Sequence, residues 1–164
     1  RNVTGVQTCA LPISRHEQLI ESCARHEAES RYLCSPGMAN RLPRSRTLRG
    51  DPKLVYYEKG ESRPGEAALV LAHGATLRSE DWENIHPRLA TRYRVIAYDM
   101  RGHGKSARAA EYGVGVLADD LLRVVREVAR GPVIVLAHSM ACAATLVAAA
   151  REPRLVRAMV LEDP

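Results

Sequence analysis

Residues 132–145 read Pro-Val-Ile-Val-Leu-Ala-His-Ser-Met-Ala-Cys-Ala-Ala-Thr, and this stretch restricts the fold more tightly than any other. Its first half is a short apolar run rich in β-branched side chains, the pattern of a strand covered on both faces. Its second half opens the Ala-rich segment Ala141–Ala150, the pattern of a buried helix. Ser139 stands at the joint, and the residues two positions either side, Ala137 and Ala141, are small. A strand that turns abruptly into a helix brings its two backbones nearly into contact, so only small residues fit there. The turn strains the residue at its apex and holds that side chain above the sheet edge, the arrangement called a nucleophile elbow. The usual pattern has Gly where Ala137 and Ala141 stand, so each position carries one extra methyl. The competing reading of Ser139 is a plain helix N-cap, a role in which Ser is common.

Two further motifs lie upstream, each at the end of an apolar run. Ala67–Ala72 leads into His73-Gly74-Ala75, and Arg94–Tyr98 leads into Asp99-Met-Arg-Gly-His-Gly-Lys-Ser106. In this order, and followed by Ala137-His-Ser-Met-Ala141, they give residues 53–164 a resemblance to the α/β-hydrolase family, in its serine-nucleophile branch. The resemblance implies an α/β fold, a doubly wound and mostly parallel sheet, with residues 51–164 as the amino-terminal part of the domain. It also implies roles. Ser139 would be the nucleophile, and the backbone N–H groups of Ala75 and Met140 would form the oxyanion hole. His73, Gly74, Asp99, Gly102, Gly104 and His138 would be framework residues of the three motifs. In this family the catalytic acid and then the His follow the Ser. All six histidines (16, 26, 73, 86, 103 and 138) precede Ser139. The late His is therefore expected outside this chain, with Asp163 a possible acid, and the chain by itself is expected to be inactive. A Ser nucleophile implies ester-like or related small substrates rather than the halides or epoxides opened by Asp-nucleophile branches. No cofactor or metal is implied.

Two alternatives arise from the Asp99–Ser106 loop. Gly104-Lys-Ser106 ends like a phosphate loop, but that motif needs Gly where Asp99 stands. Gly102-x-Gly104-x-x-Ala107 imitates a dinucleotide fingerprint, which requires an acid about 20 residues on at the end of a second strand. Asp119 and Asp120 lie near that distance but within a helical pattern. A nucleotide-binding α/β domain and a non-catalytic binding protein on the hydrolase fold remain the alternative functions. Arg101 and His103 are expected to be packed or solvated.

The rest of the chain follows from periodicity. Leu54–Lys59 reads as an early edge strand. Asp81–Ala90 reads as a helix capped by Ser79 or Asp81, with Pro87 near its first turn and Trp82, Ile85 and Leu89 on one face. Leu117, Leu121, Val124, Val125 and Val128 mark an amphipathic helix ended by Gly131-Pro132, and Leu155–Leu161 reads as a further strand.

Charge and cysteine separate the leading segment from the domain. The formal net charge is +5, but residues 1–50 hold 8 of the 24 Lys and Arg against 4 of the 19 Asp and Glu. The basicity thus belongs to the leader and assigns no nucleic-acid partner to the domain. Arg41–Arg49 reads as a basic arm without aromatic interleaving. Cys142 is the single cysteine of residues 51–164, which argues against a disulfide framework and suits a reducing cytoplasm. No run of 18 apolar residues marks a membrane span. The expected partner is a small-molecule substrate, and the oligomeric state is left open. Val3–Ile13 back-reads to a sequencing-adapter oligonucleotide, and residues 1–14 are set aside as an artefact. Residues 15–50 are expected to be an untranslated or disordered leader, with Met38 a candidate start. Cys23, His26 and Cys34 lack the paired spacing of a zinc site.

Overall fold

The structure, a computed structural model, describes residues 41–164. The adapter-like stretch, the Cys23–His26–Cys34 grouping and Met38 lie outside the described residues. Six strands form one sheet: β1 (Arg46–Leu48), β2 (Leu54–Lys59), β3 (Ala68–Ala72), β4 (Val95–Asp99), β5 (Val133–His138) and β6 (Val156–Glu162). Their order across the sheet is β1-β2-β4-β3-β5-β6. Neighbours from β4 through β3 and β5 to β6 run parallel, whereas β1 and β2 pair antiparallel at one margin. The doubly wound, mostly parallel sheet expected from the strand–helix alternation is therefore present.

The central strands read as continuous apolar runs because both their faces are covered. Along β3, Val70 and Ala72 join the core on one face while Leu69 and Leu71 join the core on the other. The first core lies beneath α2 (Val114–Val124) and α3 (Met140–Arg151). Leu117, Leu121, Val124, Val125 and Val128 are all buried there, so the apolar stripe is the packing face. The second core is smaller and carries Trp82, with Ile85 and Leu89 packed against it.

Three sequence expectations need correction. Leu54–Lys59 is not an edge strand, because Arg46–Leu48 pairs with it in the register Arg46↔Tyr56 and Leu48↔Leu54. The sheet thus begins inside the stretch read as a basic arm, five residues before position 51. The helix expected over 81–90 is divided into a 3-10 turn, Ser79–Trp82, and the four-residue α1, His86–Leu89. Pro87 falls in the first turn of α1, as expected; its missing N–H and its ring preclude a helix running through from Asp81. The α2 helix ends short of Gly131. It continues as a π turn, Val125–Ala129, and closes with Arg130 at φ 60°, whose N–H donates to Val125 O at 2.8 Å.

Register decides where the motifs meet. Ala72 lies opposite both Tyr98 of β4 and Ala137 of β5, and His138 lies opposite Glu162 of β6. The carboxyl ends of four parallel strands therefore stop at one level. From β3 the chain steps to β4 on one side, and β5 occupies the other, so a topological switch point lies at β3. Crevices for ligands form at such points, outside the carboxyl ends of the strands.

Candidate active site

Ser139 joins β5 to α3 with φ 50° and ψ −121°. L side chains rarely adopt this conformation, so a residue bearing a Cβ is strained there. Neighbours hold it from both sides: Ser139 N–H donates to Glu162 O at 2.9 Å, and Ser139 O accepts Cys142 N–H at 2.8 Å. Although Ser139 occupies the N-cap position of α3, its side chain makes no capping hydrogen bond. The hydroxyl is thus not consumed by the helix, and the residue is only half-buried. Ala137 and Ala141 are 0% and 1% exposed, so the crowding expected two residues either side of the turn is real. Met140, half-buried, is the first residue of α3.

The β3 loop lies directly against this turn. A Cβ built on Gly74 would stand 2.7 Å from His138 Nδ1 and 3.3 Å from Ser139 Cβ, so only glycine fits there without displacing the ring. His138 Nδ1 is buried without a hydrogen-bond partner, its ring wedged between loop and turn. Ala75 follows at an exposed position.

His73 organises the loop. Its ring is fully buried. Met100 N–H donates to Nε2 at 3.0 Å, which makes Nε2 the acceptor and leaves the proton on Nδ1. Nδ1–H in turn donates to Gly74 O at 2.8 Å. Burial depresses the pKa of His73 below the usual imidazole value, which keeps the ring in the neutral form both bonds require. The peptide plane is rigid, so fixing Gly74 C=O also fixes the opposite direction of Ala75 N–H.

The Asp99–Ser106 loop is a knot tied on Asp99. The buried carboxylate accepts Ser79 N–H at 2.8 Å and Lys105 N–H at 2.9 Å, while Asp99 O accepts the Ser106 hydroxyl at 2.6 Å. Gly104, at φ 49°, passes so close that a Cβ would lie 2.3 Å from the Asp99 carboxyl. Gly102, at φ 73°, is crossed by the Tyr112 ring. Both glycines are therefore required by the turn, and Asp99 serves the framework. Arg101 is packed: it grips Asp120 with two hydrogen bonds of 2.6 and 3.0 Å and donates to Glu111 O at 3.1 Å. The acid that a dinucleotide fingerprint would offer to a ribose is thus occupied within α2. His103 sets Nε2 2.5 Å from Ala75 O, a contact that sequence reasoning missed. Its only sequence signal is a histidine between two glycines, and that signal names no partner.

Asp163 follows β6 at φ 48° and is exposed. Cys142 lies beneath the same edge, its Sγ 3.3 Å from Ala137 O. Burial pushes that thiol upward, and the charges of Asp163 and Glu162 add to the shift, so Cys142 is a poor nucleophile. Among the described residues, no cluster of three or more His, Cys, Asp or Glu could hold a metal, and no helix is long and apolar enough to cross a membrane.

Comparison with known proteins agrees with the fold. Residues 67–164 match the family described as alpha/beta hydrolase fold, and the chain belongs to that family. It is 38% identical over 96 residues to 2-(acetamidomethylene)succinate hydrolase of Mesorhizobium japonicum, a match covering 58% of this chain and 34% of the relative. It is 34% identical over 107 residues to (E)-2-((N-methylformamido)methylene)succinate hydrolase of Acinetobacter baylyi, covering 65% and 39%. Among solved structures, an epoxide hydrolase from Vigna radiata superposes with a TM-score of 0.67 at 23% identity, covering 76% of this chain and 39% of that one. That last likeness is one of fold alone. The chain thus spans little more than a third of the length of these relatives.

Proposed function

We propose that the protein containing this chain is a hydrolase of small ester-like or related acyl substrates, with Ser139 as the nucleophile. The observation that carries the reading is the backbone of Ser139: φ 50° at the strand–helix joint, with the hydroxyl free of capping and Gly74 packed against it. A strained conformation that serves no helix cap is expected where a reacting atom must be presented. A general base takes the hydroxyl proton as Ser139 Oγ attacks the substrate carbonyl, and the same group, now protonated, gives that proton to the leaving group as its bond to the carbonyl carbon breaks. Water then releases the acyl group from Oγ. The oxyanion formed at each step is stabilised by the N–H groups of Ala75 and Met140. One such donor contributes about 3 kcal/mol to the transition state.

The general base of this scheme is a histidine, and none follows Ser139 in these 164 residues. It is expected from polypeptide beyond Pro164, with Asp163 the candidate acid within this chain. Two relatives hydrolyse substituted methylene succinates by name, which supports a small substrate with a carbonyl at its reacting centre. A serine at the elbow disfavours direct epoxide opening.

The decisive experiment is labelling of the full-length protein with a serine-directed fluorophosphonate. Covalent adduct at Ser139, lost in Ser139→Ala, is expected. Absence of label together with retention of a bound nucleotide would replace this reading with a nucleotide-binding one. The 164-residue chain alone is expected to show no turnover of a short aryl ester.

A further inference from the structure

We propose that His103 is a positioning residue for the oxyanion hole, holding the peptide on the far side of Ala75 while His73 holds the near side. The inference rests on the functional reading above and adds to it a residue that the hydrolase motifs do not assign to the chemistry.

Ala75 has little side chain to fix it, although Leu77 N–H closes a turn around it by donating to Gly74 O at 3.1 Å. Its side chain is a single methyl at an exposed position, on a loop between β3 and the 3-10 turn at Ser79. A backbone N–H stabilises an oxyanion well only when it is aimed before the charge develops. Two soft torsions at Ala75 separate the peptide on either side of it. The Gly74–Ala75 peptide is pinned through Gly74 O by His73 Nδ1–H at 2.8 Å. The Ala75–Thr76 peptide is pinned through Ala75 O, which lies 2.5 Å from His103 Nε2. A carbonyl only accepts, so Nε2 is the donor in this contact. With both peptides held, both torsions of Ala75 are set, and the direction of its N–H is set with them.

The anchor behind His103 is itself stiff. His103 N–H donates to Met100 O at 3.0 Å, and His103 O accepts Ser106 N–H at 3.0 Å. Gly102 and Gly104 flank it at φ 73° and 49°, and the Asp99 carboxylate binds the following N–H of Lys105. The His73 and His103 rings lie 5.2 Å apart between centroids, so the two clamps form one unit. Arg101 O lies 2.9 Å from His103 Nδ1; a neutral imidazole donates from one nitrogen only, so with the proton on Nε2 this second carbonyl is a close neighbour and not a hydrogen-bond partner. The ring reaches from the β4 loop to the β3 loop, and the glycines around it give that loop its tight course.

The test uses the full-length protein and the variants His103→Ala and His103→Gln. Gln keeps an N–H donor near the place of Nε2. His103→Ala is expected to lower kcat for a short aryl ester by about tenfold to a hundredfold, less than outright loss of an oxyanion donor, with KM within about twofold of wild type. His103→Gln should recover most of that loss. Phosphonate labelling of Ser139 should slow in parallel. Independently of activity, hydrogen exchange at the amides of residues 75–77 should quicken in His103→Ala, and unfolding should stay cooperative. An unchanged kcat in His103→Ala overturns the proposal, as does an equal loss in both variants accompanied by a matching fall in Tm. If wild type fails to label at Ser139, the nucleophile reading fails on its own. The exchange measurement still decides whether His103 fixes the loop, and unchanged exchange at residues 75–77 rejects the clamp.

Discussion

Replacing Ser139 by Gly and by Ala should separate strain from packing at the turn. In the middle of an ordinary helix or strand, Gly is less stabilising than Ala by roughly 0.5–1 kcal/mol, because the unfolded chain gains freedom. At position 139 the order should invert. The backbone there has φ 50° and ψ −121°, and a residue with a Cβ held in such a region costs about 1–3 kcal/mol. Ala retains that strain and Gly relieves it. Subtracting the entropy of the unfolded glycine from the strain relief leaves the Ser139→Gly protein more stable than Ser139→Ala by about 1 kcal/mol, with an upper limit of roughly 2.5. The hydroxyl does not complicate the comparison, since it makes no capping bond and both variants lack it. Urea denaturation of wild type and both variants, followed by far-UV circular dichroism, gives the difference from the shift in midpoint at constant slope. Both variants should also lose phosphonate labelling in the full-length protein, so stability and reactivity move in opposite directions in Ser139→Gly. A Ser139→Ala protein as stable as Ser139→Gly, or more so, would refute the claim that this turn is strained.

Other outcomes follow from the same framework. Gly104→Ala sets a methyl 2.3 Å from the Asp99 carboxyl at φ 49° and should cost about 2 kcal/mol or more. Gly65→Ala, at φ 76° with no atom within 4 Å, should cost about 1 kcal/mol, so parallel denaturation curves separate clash from torsion. Asp120→Ala strands the buried Arg101 guanidinium and should cost about 3–5 kcal/mol. Arg101→Met should cost less, because Arg123 remains 3.5 Å from the Asp120 carboxylate; equal losses in the two variants would argue against that compensation. Burial holds both His73 and His86 below the usual imidazole value. The unfolded chain therefore binds more protons than the native one below about pH 6.5. Stability should be full above that pH and fall below it, by at most about 1.4 kcal/mol per pH unit for each ring. Stability that stayed flat between about pH 7.5 and 5.5 in urea titrations would contradict these placements.

The order of elements was legible in the sequence because it rests on local physics. Doubly covered strands are written as apolar runs, and β3, β4 and β5 fall within a residue or two of where those runs predict them. The turn at Ser139 was legible too, since strand pattern, helix pattern and small flanking residues leave little choice at the joint. The glycines of the Asp99–Ser106 loop announced a tight course, although not what tightened it. Helix 81–90 was misread because the apolar face of Trp82, Ile85 and Leu89 is satisfied equally well by a 3-10 turn followed by a single turn of α-helix. Periodicity reports which residues face the core, not whether the backbone between them is continuous. Arg46–Leu48 was misread for a similar reason: a three-residue strand is too short to show alternation, and only pairing with β2 makes it one.

By itself the sequence determined in what order the elements run, because propensity, patterning and turn chemistry act over a few residues. The tertiary structure alone decided that Gly74 lies against Ser139, that the Asp99 carboxylate binds Ser79 N–H, that Asp120 belongs to Arg101, and that His103 reaches Ala75. Each of these contacts joins residues 19 to 65 positions apart. They follow from the register of parallel strands, which a chain sets only when both faces of its sheet are buried together.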